Sequence, residues 1–256
     1  MLVRSLLILL AVSQGALAAA AECRASSGAQ TAALVELYTS EGCSSCPPAD
    51  RWLSAFAGAR RDPRVVPVAF HVQYWDYIGW KDSFGDARYT ERQKEEAKAA
   101  GARFVYTPQV IVGGRDFPEW HDAKAFAAAV DAIQRKPARA TLALESHNAA
   151  DGTITGSVAA KIEPGVRSKH LVLAALPLQN GLSTRVTAGE NKGEQLTNDH
   201  VVRDLASVKV AKPEARLEFE FKARAGWSAE RMSVSAFLQD TETGEVLQAL
   251  AAPSCR

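Results

Sequence analysis

The sequence predicts an α/β domain followed by an all-β, sandwich-like domain. Two patterns and the break between them carry this reading. From residue 32 to 135, apolar runs of strand length alternate with helix-forming stretches. From 140 to 252, short β-type runs recur between turn residues, as in an antiparallel sandwich. The change falls at Lys136-Pro137, so residues 22–138 form the first domain and 139–256 the second.

Residues 1–21 precede both. Arg4 follows a short start, an apolar stretch too brief to span a bilayer comes next, and small residues lead up to Ala21, the pattern of a cleaved secretory leader. The expected location is therefore the periplasm or the exterior. No later stretch is long and apolar enough to be a membrane anchor. The formal net charge of +1 offers no basic field for nucleic acid.

In the first domain, 32–38 is a run apolar enough to be buried on both faces. A turn at 39–42 leads to Cys43-Ser44-Ser45-Cys46, and Pro47-Pro48 then opens a helix, because proline is tolerated in the first turn, where its missing N–H has no intrahelical partner. A second strand covers 65–72. A polar-aromatic segment follows at 74–82, then a charged helix over 86–100 that Gly101 ends. Residues 104–112 read as a third strand, interrupted at Pro108 and closed by Gly113-Gly114, and 121–135 as an amphipathic helix. In the second domain the expected runs are 141–145, 153–160, 170–176, 185–187, 201–210, 216–223, 232–239 and 246–250.

A Cys-x-x-Cys pair at a helix N-terminus suits thiol chemistry, because the free N–H groups and the helix dipole stabilise a thiolate. Cys43 is then the attacking sulfur and Cys46 the resolving one. Zinc uses the same spacing but needs a second ligand pair. The other cysteines, Cys23 and Cys255, stand at the chain ends, and histidines 71, 121, 147, 170 and 200 form no zinc-like pair. Cys23 and Cys255 are instead expected to bridge the termini as a structural disulfide, a closure that chain entropy values at about 5 kcal/mol.

Strand, turn, Cys-x-x-Cys and helix, with Thr107-Pro108 entering a later strand, resemble the thioredoxin superfamily. The resemblance implies a thioredoxin-like first domain in which Thr107 faces the cysteines and Pro108 is cis. It also implies that Glu36 acts as a buried acid assisting Cys46, although the turn is one residue longer here; the other reading of Glu36 is an exposed edge carboxylate. More narrowly, 35–50, 71–82, 106–110 and 189–193 are similar to a family of exported bacterial proteins known as domain of unknown function 1223.

Two readings of the aromatic segment stand side by side: Tyr74, Trp75, Tyr77 and Trp80 line a substrate groove, or they plug the seam between domains. Glu190, Asn191 and Lys192 read as a sandwich loop. The sequence thus points to an exported thiol-disulfide oxidoreductase acting on protein thiols or disulfides, with no cofactor. The rivals are a copper-binding module using the same thiols with His71 or His121 as a further ligand, and a non-catalytic binding scaffold.

Overall fold

A computed structural model describes residues 22–57, 62–166 and 169–252. The secretory leader at 1–21 and Cys255 lie outside the described residues.

The described chain is mostly β, with fifteen strands and three α-helices. After β1 (Glu22–Ser26) come β2 (Ala33–Thr39), α1 (Pro47–Ser54), β3 (Val65–His71), α2 (Ala87–Ala99), β4 (Gln109–Val112), β5 (Arg115–Asp116) and α3 (Ala123–Gln134). The remaining strands are β6 (Ala140–Asn148), β7 (Ile154–Ile162), β8 (Leu171–Gln179), β9 (Leu182–Arg185), β10 (Gln195–Asn198), β11 (Val201–Val202), β12 (Ala206–Lys209), β13 (Glu214–Phe221), β14 (Met232–Asp240) and β15 (Val246–Ala251).

This corrects the expected fold class. The chain is not an α/β thioredoxin-like domain followed by an all-β sandwich. A nine-stranded sheet in the order β15-β14-β8-β11-β3-β2-β4-β5, with β12 also on β8, carries strands from both sides of residue 139. The join is β11, where Val201 pairs in parallel with Ala69 of β3 and antiparallel with Gln179 of β8. A second sheet, β1-β6-β7-β13, is antiparallel throughout, and β9 and β10 form a separate hairpin.

Side-chain alternation sorts the core into layers. On one face of the large sheet, Ala33, Val35 and Leu37 pack with Ala49 and Leu53 of α1 and Phe126 and Val130 of α3. Farther along that face, Leu173, Val234, Ala236 and Leu238 meet Leu142, Leu144 and Val158 of the second sheet. On the opposite face, Leu34, Tyr38, Phe70 and Tyr89 pack with Leu176, Leu178 and Phe237 in one cluster spanning both halves. The helix caps follow from sequence: Asp86 accepts from the Arg88 N–H and Asp122 from the Lys124 and Ala125 N–H groups.

Candidate functional site

The 39–46 segment leaves β2, turns, and enters α1. Cys46 occupies the N-cap with prolines directly after it, and its carbonyl accepts the Ala49 and Asp50 N–H groups at 2.9 and 3.1 Å. Cys43 and Cys46 are joined in a disulfide. Both residues are 0% exposed, whereas Ser44 and Ser45 between them face solvent.

Two hydroxyls meet the first sulfur. Thr107 Oγ1 donates to Cys43 Sγ at 3.4 Å, and Ser45 Oγ lies 3.3 Å from it. Trp75 Nε1 donates to Thr107 Oγ1 at 2.7 Å, and the Thr107–Pro108 bond is cis. The β9–β10 hairpin loop closes the other side. Asn191 Nδ2 donates to both Glu41 O and Cys43 O, at 2.9 and 3.0 Å, and Glu190 Oε2 accepts the Ser44 N–H at 2.9 Å. Gly189, at φ +72°, is needed here: a Cβ would come within 3.1 Å of Trp80 Cβ.

On the face covered by α1 lies a buried polar group. Thr39 and His71 are directly paired on β2 and β3 and so share that face, joined by Asp50 from α1, Glu41 from the turn and Asp82 from the loop before α2. His71 Nδ1 is 2.7 Å from Asp82 Oδ2, which also accepts the Glu41 N–H at 2.9 Å. Glu41 receives Trp80 Nε1 at 3.2 Å and Asn198 Nδ2 at 3.1 Å. His71 Nε2 has no hydrogen-bond partner among the described residues, and the Thr39 hydroxyl faces the Asp50 carboxyl.

Burial and mutual charge set the protonation of this group. Burial pushes the Asp50 carboxyl up to about 6, against the pull of His71. Burial and the Asp82 charge raise Glu41. Burial alone would depress His71, but the Asp82 carboxylate outweighs it and the imidazole is raised. Asp82 is lowered, because His71 and the backbone N–H groups of Glu41 and Phe84 overcome its burial.

Glu36 is buried yet lies on the opposite face of β2 from α1. There it accepts Tyr38 Oη at 3.0 Å and Arg92 Nε at 2.8 Å. It is neither an exposed edge group nor a neighbour of the sulfurs. Tyr74 Oη donates to Gln93 Oε1 at 3.2 Å, and Tyr77 is 83% exposed. Trp75 therefore meets the disulfide site through Thr107, and Trp80 sits between the cysteine turn and the hairpin loop. His121 stacks edge-on against Trp120, and among the described residues no three His, Cys, Asp or Glu side chains are grouped as a metal site. Cys23 is buried and disulfide-bonded.

Sequence reasoning did not single out Glu41, Asp50 or Asp82. Asp50 carried one signal: it lies four residues after Cys46, which places both on the same side of a helix. Nothing local marked the other two, since their convergence depends on sheet pairing.

No curated protein matches the chain. The crystal structure of protein AGR_C_4864 from Agrobacterium tumefaciens is similar at 25% identity and a TM-score of 0.63, over 88% of this chain and 96% of that one. HBP35 of Porphyromonas gingivalis shares the fold at 17% identity and a TM-score of 0.62, over 90% of this chain and 76% of that one. The family described as Protein of unknown function (DUF1223) matches residues 34–239, and the chain belongs to that family.

Proposed function

We propose that the protein exchanges electrons with protein thiols or disulfides through the Cys43–Cys46 couple, in the periplasm or outside the cell. The observation that carries the reading is the placement of this disulfide at the start of α1, above a buried group of titratable side chains. A purely structural crosslink has no use for a group of buried titratable side chains beside it, because burying ionisable groups costs stability.

Cys43 is the sulfur that forms the mixed disulfide. The Thr107 and Ser45 hydroxyls at its Sγ support a thiolate there, as does the N-terminal end of α1. Cys46 resolves. Because both residues are covered, a partner has to displace the rim formed by Trp75, Thr107 and the hairpin loop before it reaches Cys43. A disulfide in such a couple favours an oxidising compartment, in keeping with the leader-like residues 1–21.

The test is an exchange assay on purified protein, run both as reduction of insulin disulfides and as oxidation of a reduced dithiol peptide. Cys43→Ser is expected to abolish activity, and Cys46→Ser to accumulate a mixed disulfide with the partner. Absence of wild-type activity in both directions would overturn the reading. If the reduced protein instead bound Cu(I) one-to-one through these two sulfurs, a copper module would replace it.

A further inference from the structure

We infer that Trp75 is a positioning residue for Cys43: its indole N–H fixes the Thr107 hydroxyl so that the hydroxyl donates to the Cys43 thiolate, setting how readily that sulfur ionises; this rests on the exchange reading above. The chain of contacts is short and directed. Trp75 Nε1 donates to Thr107 Oγ1 at 2.7 Å, and Thr107 Oγ1 donates to Cys43 Sγ at 3.4 Å. An indole nitrogen can only donate, whereas a hydroxyl has one proton and two lone pairs. The Trp75 N–H takes one lone pair of Thr107, so the hydroxyl proton has to turn to another acceptor.

Two acceptors stand within its reach. One is Tyr74 Oη, which directs its own proton to Gln93 Oε1 at 3.2 Å. The other is Cys43 Sγ. The sulfur of a disulfide accepts weakly, but a thiolate accepts with its full charge, so the hydroxyl turns to sulfur once the couple is reduced. That stage needs it: Cys43 is fully buried, and burial by itself holds a thiol protonated.

The sequence provides a seat for the indole. Trp75 stands at the N-cap of the 3-10 turn Asp76–Ile78, and its carbonyl accepts the Ile78 N–H at 3.1 Å. Gly42, just before Cys43, gives it room: a Cβ there would lie 3.2 Å from Trp75 Cβ and 3.4 Å from Ile78 Cδ1. Tyr77 stacks on the ring with centroids 6.5 Å apart. Lining a partner groove would need only the ring, whereas this role is carried by one N–H.

The relay acts before a partner arrives, on the thiolate fraction of Cys43 and on the potential of the couple. In the direction that reduces a partner, the Cys43 thiolate attacks a partner disulfide; the Cys43–partner bond forms, the partner S–S bond breaks, and its electron pair leaves on the partner's other sulfur, which takes a proton from solvent. Cys46 loses its proton to solvent and attacks Cys43 Sγ. The mixed disulfide breaks, the partner's first sulfur leaves as a thiolate, and the couple is oxidised while the partner is reduced.

The experiment titrates the whole protein by thiolate absorbance in a Cys46→Ser background, so that the Cys46 thiol does not contribute, with and without Trp75→Phe. The phenyl ring lacks the N–H; a benzothienyl side chain at position 75, which keeps the indole's shape and puts sulfur in place of the N–H, serves if Trp75→Phe does not fold. Of the titratable groups set around this turn, Glu41 within it, Asp50 on α1, Glu190 on the hairpin loop and Tyr74 beside Thr107, none is altered by these variants. Trp75→Phe is expected to cost Cys43 about tenfold in thiolate fraction at a pH below its midpoint. With both cysteines present, the same tenfold makes the potential about 30 mV more negative. Thr107→Val should give at least as large a shift and abolish any further effect of Trp75→Phe, while Thr107→Ser should restore the wild-type titration. An unchanged Cys43 titration in Trp75→Phe, or a shift that adds to that of Thr107→Val, would overturn the inference even in an active protein. A shift that disappears with Thr107→Val, in a protein that exchanges no thiols, would support the relay and overturn the exchange reading.

Discussion

Two buried polar groups lie on opposite faces of the same strands, and they are built differently. On the α2 face, the Arg92 guanidinium bridges Glu36 at 2.8 Å and Glu96 at 3.4 Å, donates to Gln239 at 3.0 Å, and rests over the rings of Phe70 and Phe237. Gln239 in turn donates to Glu96 and to the Gly244 carbonyl, both at 3.0 Å. This network ties β2, α2 and β14 together across the two halves of the chain. On the α1 face, the group around His71 and Asp50 leaves a ring nitrogen without a partner among the described residues, and two of its members, Glu41 and Asp50, flank the cysteine turn in sequence. The difference teaches that burial of charge alone does not mark a reactive site: one network gathers around the Arg92 cation far from the cysteines, while the other is drawn from residues that flank the cysteine turn.

The largest effect should come from the closed network. Arg92→Met leaves the Glu36 and Glu96 carboxyls without their cation, and a loss of about 3–5 kcal/mol is expected from denaturant unfolding. A loss below 1 kcal/mol would show that the α2-face network does not join the halves energetically.

Glu96 gives the next effect and sharpens the contrast. Burial pushes its carboxyl up to about 7, against the attraction of Arg92. A raised folded pKa means that the folded state binds the proton more tightly, so this contribution is complete below about 4.5 and is lost as pH rises through about 7. Glu96→Gln should therefore flatten the stability profile between those limits, gaining about 1–3 kcal/mol over wild type at pH 8 if Gln239 adapts to the amide. An unchanged slope would sink the assignment of that limb to Glu96.

The smallest effect concerns the cover over the reactive side. Asn191→Ala removes two hydrogen bonds to the cysteine turn. A stability loss of about 1–2 kcal/mol is expected, with reduction of the disulfide by a small thiol accelerated about tenfold. Stopped alkylation time courses would measure the rate. A slower or unaltered reaction would mean that the hairpin loop does not control access to Cys43.

Some of this architecture was legible in the order of residues. Strand, turn, Cys-x-x-Cys and Pro-Pro are local signals: the prolines open a helix, and the turn from Cys43 to Cys46 just before it brings the two sulfurs within bonding reach. The helix-forming stretches 86–100 and 121–135 were local in the same way, and Gly101, which ends the first of them, does sit at positive φ. The pairing of strands from either side of residue 139 was not legible, for a different reason. An apolar strand such as 33–39 or 171–179 encodes a need for neighbours on both edges and does not name them. Nothing in Val201-Val202 says that these two residues join β3 to β8.

The carboxylates follow the same division. Alternation along β2 sets Glu36 on the opposite face from its neighbours Val35 and Leu37, but which face carries α1 is settled only when the helix packs. Sequence alone determined that two cysteines share a helix start and that aromatic and acidic residues are plentiful nearby. Tertiary structure alone decided that Asp50, His71 and Asp82 converge on the α1 face while Glu36 lies with Arg92. The physical reason is that burial and charge partners, which set protonation, come from strands and helices far apart in the chain.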